Sequence, residues 1–329
     1  ARIAPDGSGG VIIVWEDANS GYMIAAQRID SQGRPRWGEQ GIIVCQQTGG
    51  QYDPLVVTDG SGGAVVAWND TRNGRYDIYA QRLTSGGAPQ WGVDGNLICG
   101  ETGGQNYPEP VSDGEGGAII AWEDTRGADR DIYVQRVDAS GDVVWTAGGV
   151  AVCTAAGNQE LPSIVSDGVG GAIVVRDDLR TTVSDVFAHR IYSSRNVCWQ
   201  TDGVKIAEES ANTTSYPYTV RDGRKGSIVA FQSDRAGDLD IYAQRVERNG
   251  YLGDPAPVFT DVIDHPDDQG GQIIANWSAS YVDEWPLTTV EQYSVWRRFV
   301  GPARLGPKMM PSAAEIAQDR EGALARYGW

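Results

Sequence analysis

Histidine is nearly missing from this chain: among 329 residues only His189 and His265 occur. No His cluster can therefore assemble a zinc site, and no Cys/His pair stands at a spacing useful for nucleophilic catalysis. Other chemical signatures are absent as well. There is no phosphate-cradling glycine loop, no Gly-x-Ser-x-Gly elbow, and no calcium loop of the EF-hand or Asp-x-Asp-x-Asp type. No metal and no cofactor is expected. No apolar run approaches the 18 residues of a membrane-spanning helix, so membrane insertion is not expected. No leader is visible, and the chain opens at Ala1 inside a repeat, as a processed or truncated product would. Positive charge is also short: 27 Lys and Arg face 44 Asp and Glu, a net charge of −17. Such a surface repels phosphate backbones and anionic lipid, which argues against nucleic acid as a partner. Phenylalanine is down to 4 residues.

Glycine, at 43 residues, and tryptophan, at 11, are abundant. That pairing suits many short strands joined by tight turns. The glycines and tryptophans are periodic. Asp-Gly recurs at Asp6, Asp59, Asp113, Asp167 and Asp222, about 54 residues apart. Nine residues after each Asp stand Trp15, Trp68, Trp122, Arg176 and Phe231. A second tryptophan follows at 37, 91, 145 and 199 and is lost from the fifth copy. Arg28, Arg82, Arg136, Arg190 and Arg245 mark a third periodic position.

Copy two shows how the unit folds. Residues 54–58 read as strand a, 59–63 as a tight turn, 64–68 as strand b, 70–74 as a polar loop, 77–83 as strand c and 97–99 as the end of strand d. Four strands in about 54 residues, with no helical period, describe a propeller blade; a β-solenoid coil is shorter. The fold expected is all-β: a β-propeller of about five four-stranded blades over 1–254. The repeats run approximately 1–49, 50–103, 104–157, 158–212 and 213–254. Copy one starts inside strand a and copy five lacks a recognisable strand d. Neighbouring blades must stack to hide their tryptophans, which are therefore inter-blade core. Cys45, Cys99 and Cys153 occupy one repeat position and are too far apart to bridge; they read as small buried hydrophobes, with Cys198 in a different slot.

The run 112–126, Ser-Asp-Gly-Glu-Gly-Gly-Ala-Ile-Ile-Ala-Trp-Glu-Asp-Thr-Arg, followed by Asp131-Ile132-Tyr133-Val134-Gln135-Arg136, resembles the repeats of extracellular bacterial β-propeller proteins. The resemblance covers about residues 1–256 and implies secretion or display at a cell surface. The hairpin 138–145 is a loose, weak match to the Asp-box of sialidase-like propellers. After Pro255-Ala256-Pro257, a stiff linker, segments 258–262, 272–277 and 290–298 look like strands A, B and C of a fibronectin-type-III-like sandwich with Trp277 in its core. Residues 311–327 read as a short helix capped by Ser312. Only 72 residues follow Pro257, so 257–329 is expected to be an incomplete fibronectin-III-like domain with a C-terminal extension.

Antiparallel order puts the b–c and d–a connections on one face of the disc. That face collects Arg72, Arg126, Asp178 and Arg180 from b–c loops, and Tyr52 and Tyr107 from d–a loops. These side chains suit sugar hydroxyls or carboxylates through bidentate guanidinium contacts and aromatic stacking. The competing view is structural: Asp70 pairs either with Arg72 or with Arg82, and repeated residues serve the blade. Copy four departs from the pattern with Arg176 in place of Trp and His189 in place of Gln, either as a drifted blade or as a local charged site, and Arg176 is counted among the binding candidates. A buried Arg176 needs a partner, Asp177 or Asp178. No catalytic residue is assigned. The function expected is a non-catalytic extracellular binding or scaffold protein that recognises a glycan or a cell-surface protein through the b–c/d–a face. The alternative is a carbohydrate-active enzyme, a glycosidase or sialidase-like protein with its site at the propeller axis. Its only candidate carboxylates are Glu109 and Glu160, at the ends of d–a loops, because strand a is otherwise apolar.

Overall fold

The computed structural model describes residues 1–18, 21–207, 214–234, 237–253, 258–264 and 273–278. Five antiparallel sheets follow one another along the chain, each a blade whose strands neighbour in sequence order. Blade I holds β1 (Arg2–Pro5), β2 (Val11–Asp17), β3 (Met23–Ile29) and β4 (Ile42–Cys45). Blade II holds β5 (Gln51–Thr58), β6 (Ala64–Asp70), β7 (Asp77–Leu83) and β8 (Asn96–Cys99). Blade III holds β9 (Gln105–Ser112), β10 (Ala118–Asp124), β11 (Asp131–Val137) and β12 (Val150–Cys153). In blade IV, β13 (Gln159–Ser166), β14 (Ala172–Asp178) and β15 (Asp185–Ile191) are followed by an outer strand broken into β16 (Val197–Cys198) and β17 (Val204–Lys205), both paired with β15. Blade V has three strands among the described residues, β18 (Thr214–Arg221), β19 (Ser227–Ser233) and β20 (Asp240–Val246). The first strands of successive blades pack on one another, which makes them the inner strands of a β-propeller.

Strand a is longer than the sequence suggests. It starts at Gln51, Gln105, Gln159 and Thr214, so Tyr52, Tyr107, Glu109 and Glu160 belong to strands and not to the ends of loops. The extra length is accommodated by a bulge, where the register slips between Tyr52 and Leu55, between Glu160 and Ser163, and between Ser215 and Tyr218. At the bulge Asp53, Tyr107, Leu161 and Tyr216 take φ of 50–54°, each just before a proline. The bulged amides of three of them turn to the preceding blade: Asp53 N donates to Glu16 (2.8 Å), Leu161 N to Glu123 (2.8 Å) and Tyr216 N to Asp177 (3.3 Å). Strand b likewise runs on to Asp70, which closes the strand instead of opening the loop.

Each sheet has two apolar faces. Val65, Ala67, Ile78 and Ala80 of blade II pack onto Ala118, Ile120, Trp122 and Val137 of blade III. The same residue positions join blade I to blade II and blade III to blade IV. Trp68 and Trp122 are fully buried there. The periodic Asp and Arg tie these layers together. Asp59 accepts the amides of Ser61 and Gly63 inside its own turn and holds Arg82 at 2.9 Å. Arg82 then reaches the carbonyl of Ala139 in the next blade, and the Trp91 indole donates to that same carbonyl at 3.0 Å. Trp37 and Trp145 make the same forward contact to Ser85 and Ser193. Gly141, at φ 89°, follows Ala139, and a Cβ there would lie 2.6 Å from the Trp91 ring.

Cys45, Cys99 and Cys153 are free and buried, and Cys198 is free. In the C-terminal part, β21 (Val258–Asp264) and β22 (Ile273–Ser278) pair antiparallel, where strands A and B were expected. Residues 290–298 and 311–327, read as strand C and a helix, lie outside the described residues, as does the rest of the fibronectin-III-like expectation.

Candidate functional site

The b–c and d–a connections do share one face. Thr71 N donates to the Gly50 carbonyl, Thr125 N to Gly104 and Leu179 N to Asn158, so each b–c loop is sewn to the d–a loop beside it. Arg72, Arg126 and Arg180 sit under this face, and Nε and Nη2 of each are engaged with protein atoms. Arg126 grips Asp124 through two bonds of 2.8 and 2.5 Å, donates to the Gly148 carbonyl and to Cys99 Sγ of the preceding blade, and lies 3.9 Å over the Tyr133 ring. Arg72 does the same with Asp70, Asp94 O, Cys45 and Tyr79. Arg180 does so with Asp178, Asp202 O, Cys153 and Phe187. Burial opposes the Arg126 charge, but the pairing with Asp124 outweighs it and holds its pKa above the ordinary value. These arginines are therefore clamps between blades. Of the two pairings open to Asp70, the structure has the one with Arg72; Arg82 belongs to Asp59.

Arg176 and Asp178 have no access to a ligand: Arg176 is fully buried and Asp178 is 1% exposed. Arg176 is partnered by Asp178 at 3.2 Å, while Asp177 faces elsewhere. Fully buried His189 accepts at Nδ1 from Arg176 Nη1 at 2.9 Å, and burial together with that guanidinium pushes its pKa down to about 4.

What the face does expose is aromatic. Tyr52 of β5 is half-buried and its ring centroid lies 5.2 Å from that of Tyr22 and 6.0 Å from that of Tyr76. Tyr22 and Tyr76 both precede a third strand, and both are exposed. Tyr22 takes φ 61°, an unusual value for a bulky residue. Tyr107, 53% exposed, stands on the bulge of the next blade. The slot before the third strand faces the second residue of the next blade's first strand. It holds Tyr22 with Tyr52 at the I/II seam and Arg130 with Glu160 at the III/IV seam. Arg130 meets Glu160 at 2.7 Å and Glu123 at 3.9 Å. Asp177 is paired in register with Glu160, and burial, with the charges of Glu160 and Glu123 adding to it, raises its pKa to about 7. Glu123 is raised for the same first reason. Neither Tyr22, Tyr76, Glu123 nor Arg130 was singled out from sequence. Their signal is a change of residue type at one repeat position, visible only once that position is known to lie on a seam.

Glu109, the other axial candidate, lies on the inner strand β9 opposite Ala121. Burial lifts its carboxyl to about 7, partly offset by Arg2 of blade I. The equivalent positions hold Arg2, Leu55, Ser163 and Tyr218, so no second carboxylate shares its repeat position. Among the described residues no group of three His, Cys, Asp or Glu side chains is arranged to hold a metal ion.

No protein-family model and no curated protein matches this sequence. Similarity is found among solved structures. An ulvan lyase of polysaccharide lyase family PL25 aligns with a TM-score of 0.50 at 9% identity, over 76% of this chain and 68% of that one. The six-bladed β-propeller lectin of Aleuria aurantia aligns at TM-score 0.45 and 9% identity, over 78% and 76%. An endo-arabinase from Bacteroides thetaiotaomicron aligns at 0.43 and 12%, over 75% and 91%. At these identities the likeness concerns the fold, which is that of a β-propeller.

Proposed function

We propose that this chain is a non-catalytic extracellular binding protein that takes a glycan on the face formed by its b–c and d–a loops. One observation carries the reading: the Tyr22–Tyr52–Tyr76 cluster at the seam of blades I and II, with Tyr22 and Tyr76 exposed on either side of half-buried Tyr52. Exposed rings clustered this closely offer the C–H face of a pyranose an apolar surface, with phenolic hydroxyls at the rim for its polar groups. Core packing does not explain them, because they lie outside the inter-blade clusters. The test is a glycan array with the purified chain, followed by calorimetry on any hit. Tyr52→Ala and Tyr76→Ala are expected to weaken binding about tenfold or more, equivalent to roughly 1.4 kcal/mol. Binding that both variants leave intact would remove the tyrosine cluster from the site.

A second reading, a carbohydrate-active enzyme with an axial site, draws on Glu109. Its carboxyl is held near pH 7 on an inner strand, as a general acid requires. Turnover of a glycoside that disappears in Glu109→Gln while glycan binding persists would favour this second reading over the first.

A further inference from the structure

The chain carries a net charge of −17, yet one patch of its surface is basic. Antiparallel order puts the a–b and c–d turns on the face opposite the tyrosines, and the two turns of a blade touch there. A Cβ at Gly62 would lie 3.4 Å from Ser85 Cβ, and one at Gly170 would lie 3.2 Å from Ser193 Cβ. In blade V four positions of these turns become cationic. Arg221 ends strand a where Thr58, Ser112 and Ser166 end it in blades II to IV. Arg224 and Lys225 stand where blade II has Ser61 and Gly62, and Arg248 stands where it has Ser85. All four cations are exposed. The same turns are exposed at Ser61, Ser85, Glu115 and Gly168, in blades with a neighbour on both sides, so the face lies open whatever flanks blade V.

Two of these changes work against the fold. Thr58, Ser112 and Ser166 accept the amide of the turn glycine two residues on. Arg221 has no side-chain oxygen to offer, and its Nη2 instead crosses the seam to Gly168 of blade IV. Lys225 takes φ 70° at a position where blades I to IV place glycine at 83–91°. A lysine held in that region is strain of the kind that collects at functional sites. The nearby carboxylates turn inward to other partners: Asp222 and Glu247 meet Arg245 at 2.8 and 3.2 Å, and Asp167 meets Arg190 at 2.6 Å. Lys225 and Arg248 correspond to the touching pair Gly62 and Ser85, so they stand side by side. Arg190 of blade IV donates to the Arg248 carbonyl at 2.8 Å, which ties this turn to the IV/V seam.

We infer that the patch is a second binding site, for the sulfate or carboxylate groups of an anionic polysaccharide. Guanidinium forks match both oxyanions in bidentate fashion, and Lys225 adds a point charge beside them. The setting selects the class of ligand. The patch spans only a few turns, and exposed Glu115 and Asp142 bound it on the blade III side. Duplex nucleic acid or an anionic bilayer presents charge well beyond such a patch and meets the acidic surface around it. A single flexible chain seats one or two anionic groups and bends away. The site is separate from the tyrosine face, and either exists without the other.

The test is calorimetry on the whole chain with two probes, a short heparin-derived oligosaccharide for sulfate and an oligogalacturonate for carboxylate. Binding of either one, weakening as salt rises, is expected. The double variant Arg221→Ser with Lys225→Gly gives blade V the residues of blade IV at those positions. It is expected to fold at least as stably as the wild type and to bind about tenfold or more weakly. Arg34→Ser, which removes one cation from the c–d turn of blade I on the same face, is expected to leave binding unchanged. Circular dichroism checks each fold, and Arg248→Ser serves if the double variant is not folded. Duplex DNA and vesicles rich in phosphatidylserine are expected not to bind. Failure of both oligosaccharides to bind at low salt would overturn the inference. So would a double variant that binds as the wild type does, an equal loss in Arg34→Ser, or DNA or vesicles bound as tightly as the oligosaccharides.

Discussion

Where blades II and III seat an indole, blade IV seats a guanidinium, and the substitution works because its surroundings changed with it. The Trp68 and Trp122 Nε1 groups donate to Asp70 and Asp124 at 2.9 Å; Arg176 Nη2 donates to the matching Asp178 at 3.2 Å. Gln81 and Gln135 send Nε2 to a carbonyl of their own blade, and His189 Nε2 lies 3.1 Å from the corresponding Gln200 carbonyl. If Nε2 carries the proton, Nδ1 is free to accept from Arg176, which suits the neutral ring that its lowered pKa requires. The fit is imperfect: Arg176 Nε is buried without a partner. Single reversions, Arg176→Trp or His189→Gln, are expected to cost about 2 kcal/mol each, since each strands one half of a matched pair. The double variant restores the blade II arrangement and is expected to recover the loss, with a coupling of about 1–3 kcal/mol in urea unfolding. The sequence displayed both departures and the choice of partners for Arg176. It gave no sign that they answer each other, because the two positions sit on different strands and meet only through the b–c register.

At the scale of the element, the repeat made the strands legible. The period located the a–b turn, strand b and strand c of each blade, though not an outer strand in the fifth copy, and marked the tryptophans as facing a neighbour. It left out the bulge before each proline, since a φ near 50° just before proline has no local sequence signature. That omission pushed Tyr52 and Glu109 into loops and hid the seam where Tyr22 and Tyr76 join Tyr52. The second tryptophan was legible as core, but its indole N–H is a forward clasp as well. Trp91→Phe keeps the apolar area and loses the bond to Ala139, while Arg82 still serves that carbonyl. The expected cost is about 1 kcal/mol in thermal or urea unfolding. Gly141→Ala is expected to cost more, about 2–3 kcal/mol, because a side chain there combines φ 89° with a collision against the Trp91 ring. Amide exchange in β10 and β11 is expected to quicken in Gly141→Ala if the blade II/III seam is what loosens.

For the molecule as a whole, buried carboxylates set the response to pH. Glu109 and Asp177 both ionise near pH 7 in the folded chain and near pH 4 when unfolded. Between those values the native state binds more protons, so their contribution is complete below about pH 4 and falls away as pH rises through 7. His189 acts in the opposite sense between about pH 4 and 6.5, where the unfolded imidazole gains a proton that the native one refuses. The two trends partly offset below pH 6.5, and above it only the decline remains. Stability measured by urea unfolding is expected to fall from about pH 4 to 7.5 and then level off, and Glu109→Gln is expected to remove on the order of 1 kcal/mol of the part lost above pH 6.5. A profile that stays level in the wild type, or a variant that keeps the full decline, would contradict this assignment. The clasps described above carry one more consequence. Arg82 and Trp91 reach to the blade made after them, as Trp37 and Trp145 do, so the array is polar along the chain. During synthesis a newly emerged blade is expected to stay unfastened until its successor appears, so that the assembly closes like a zip that follows the growing terminus.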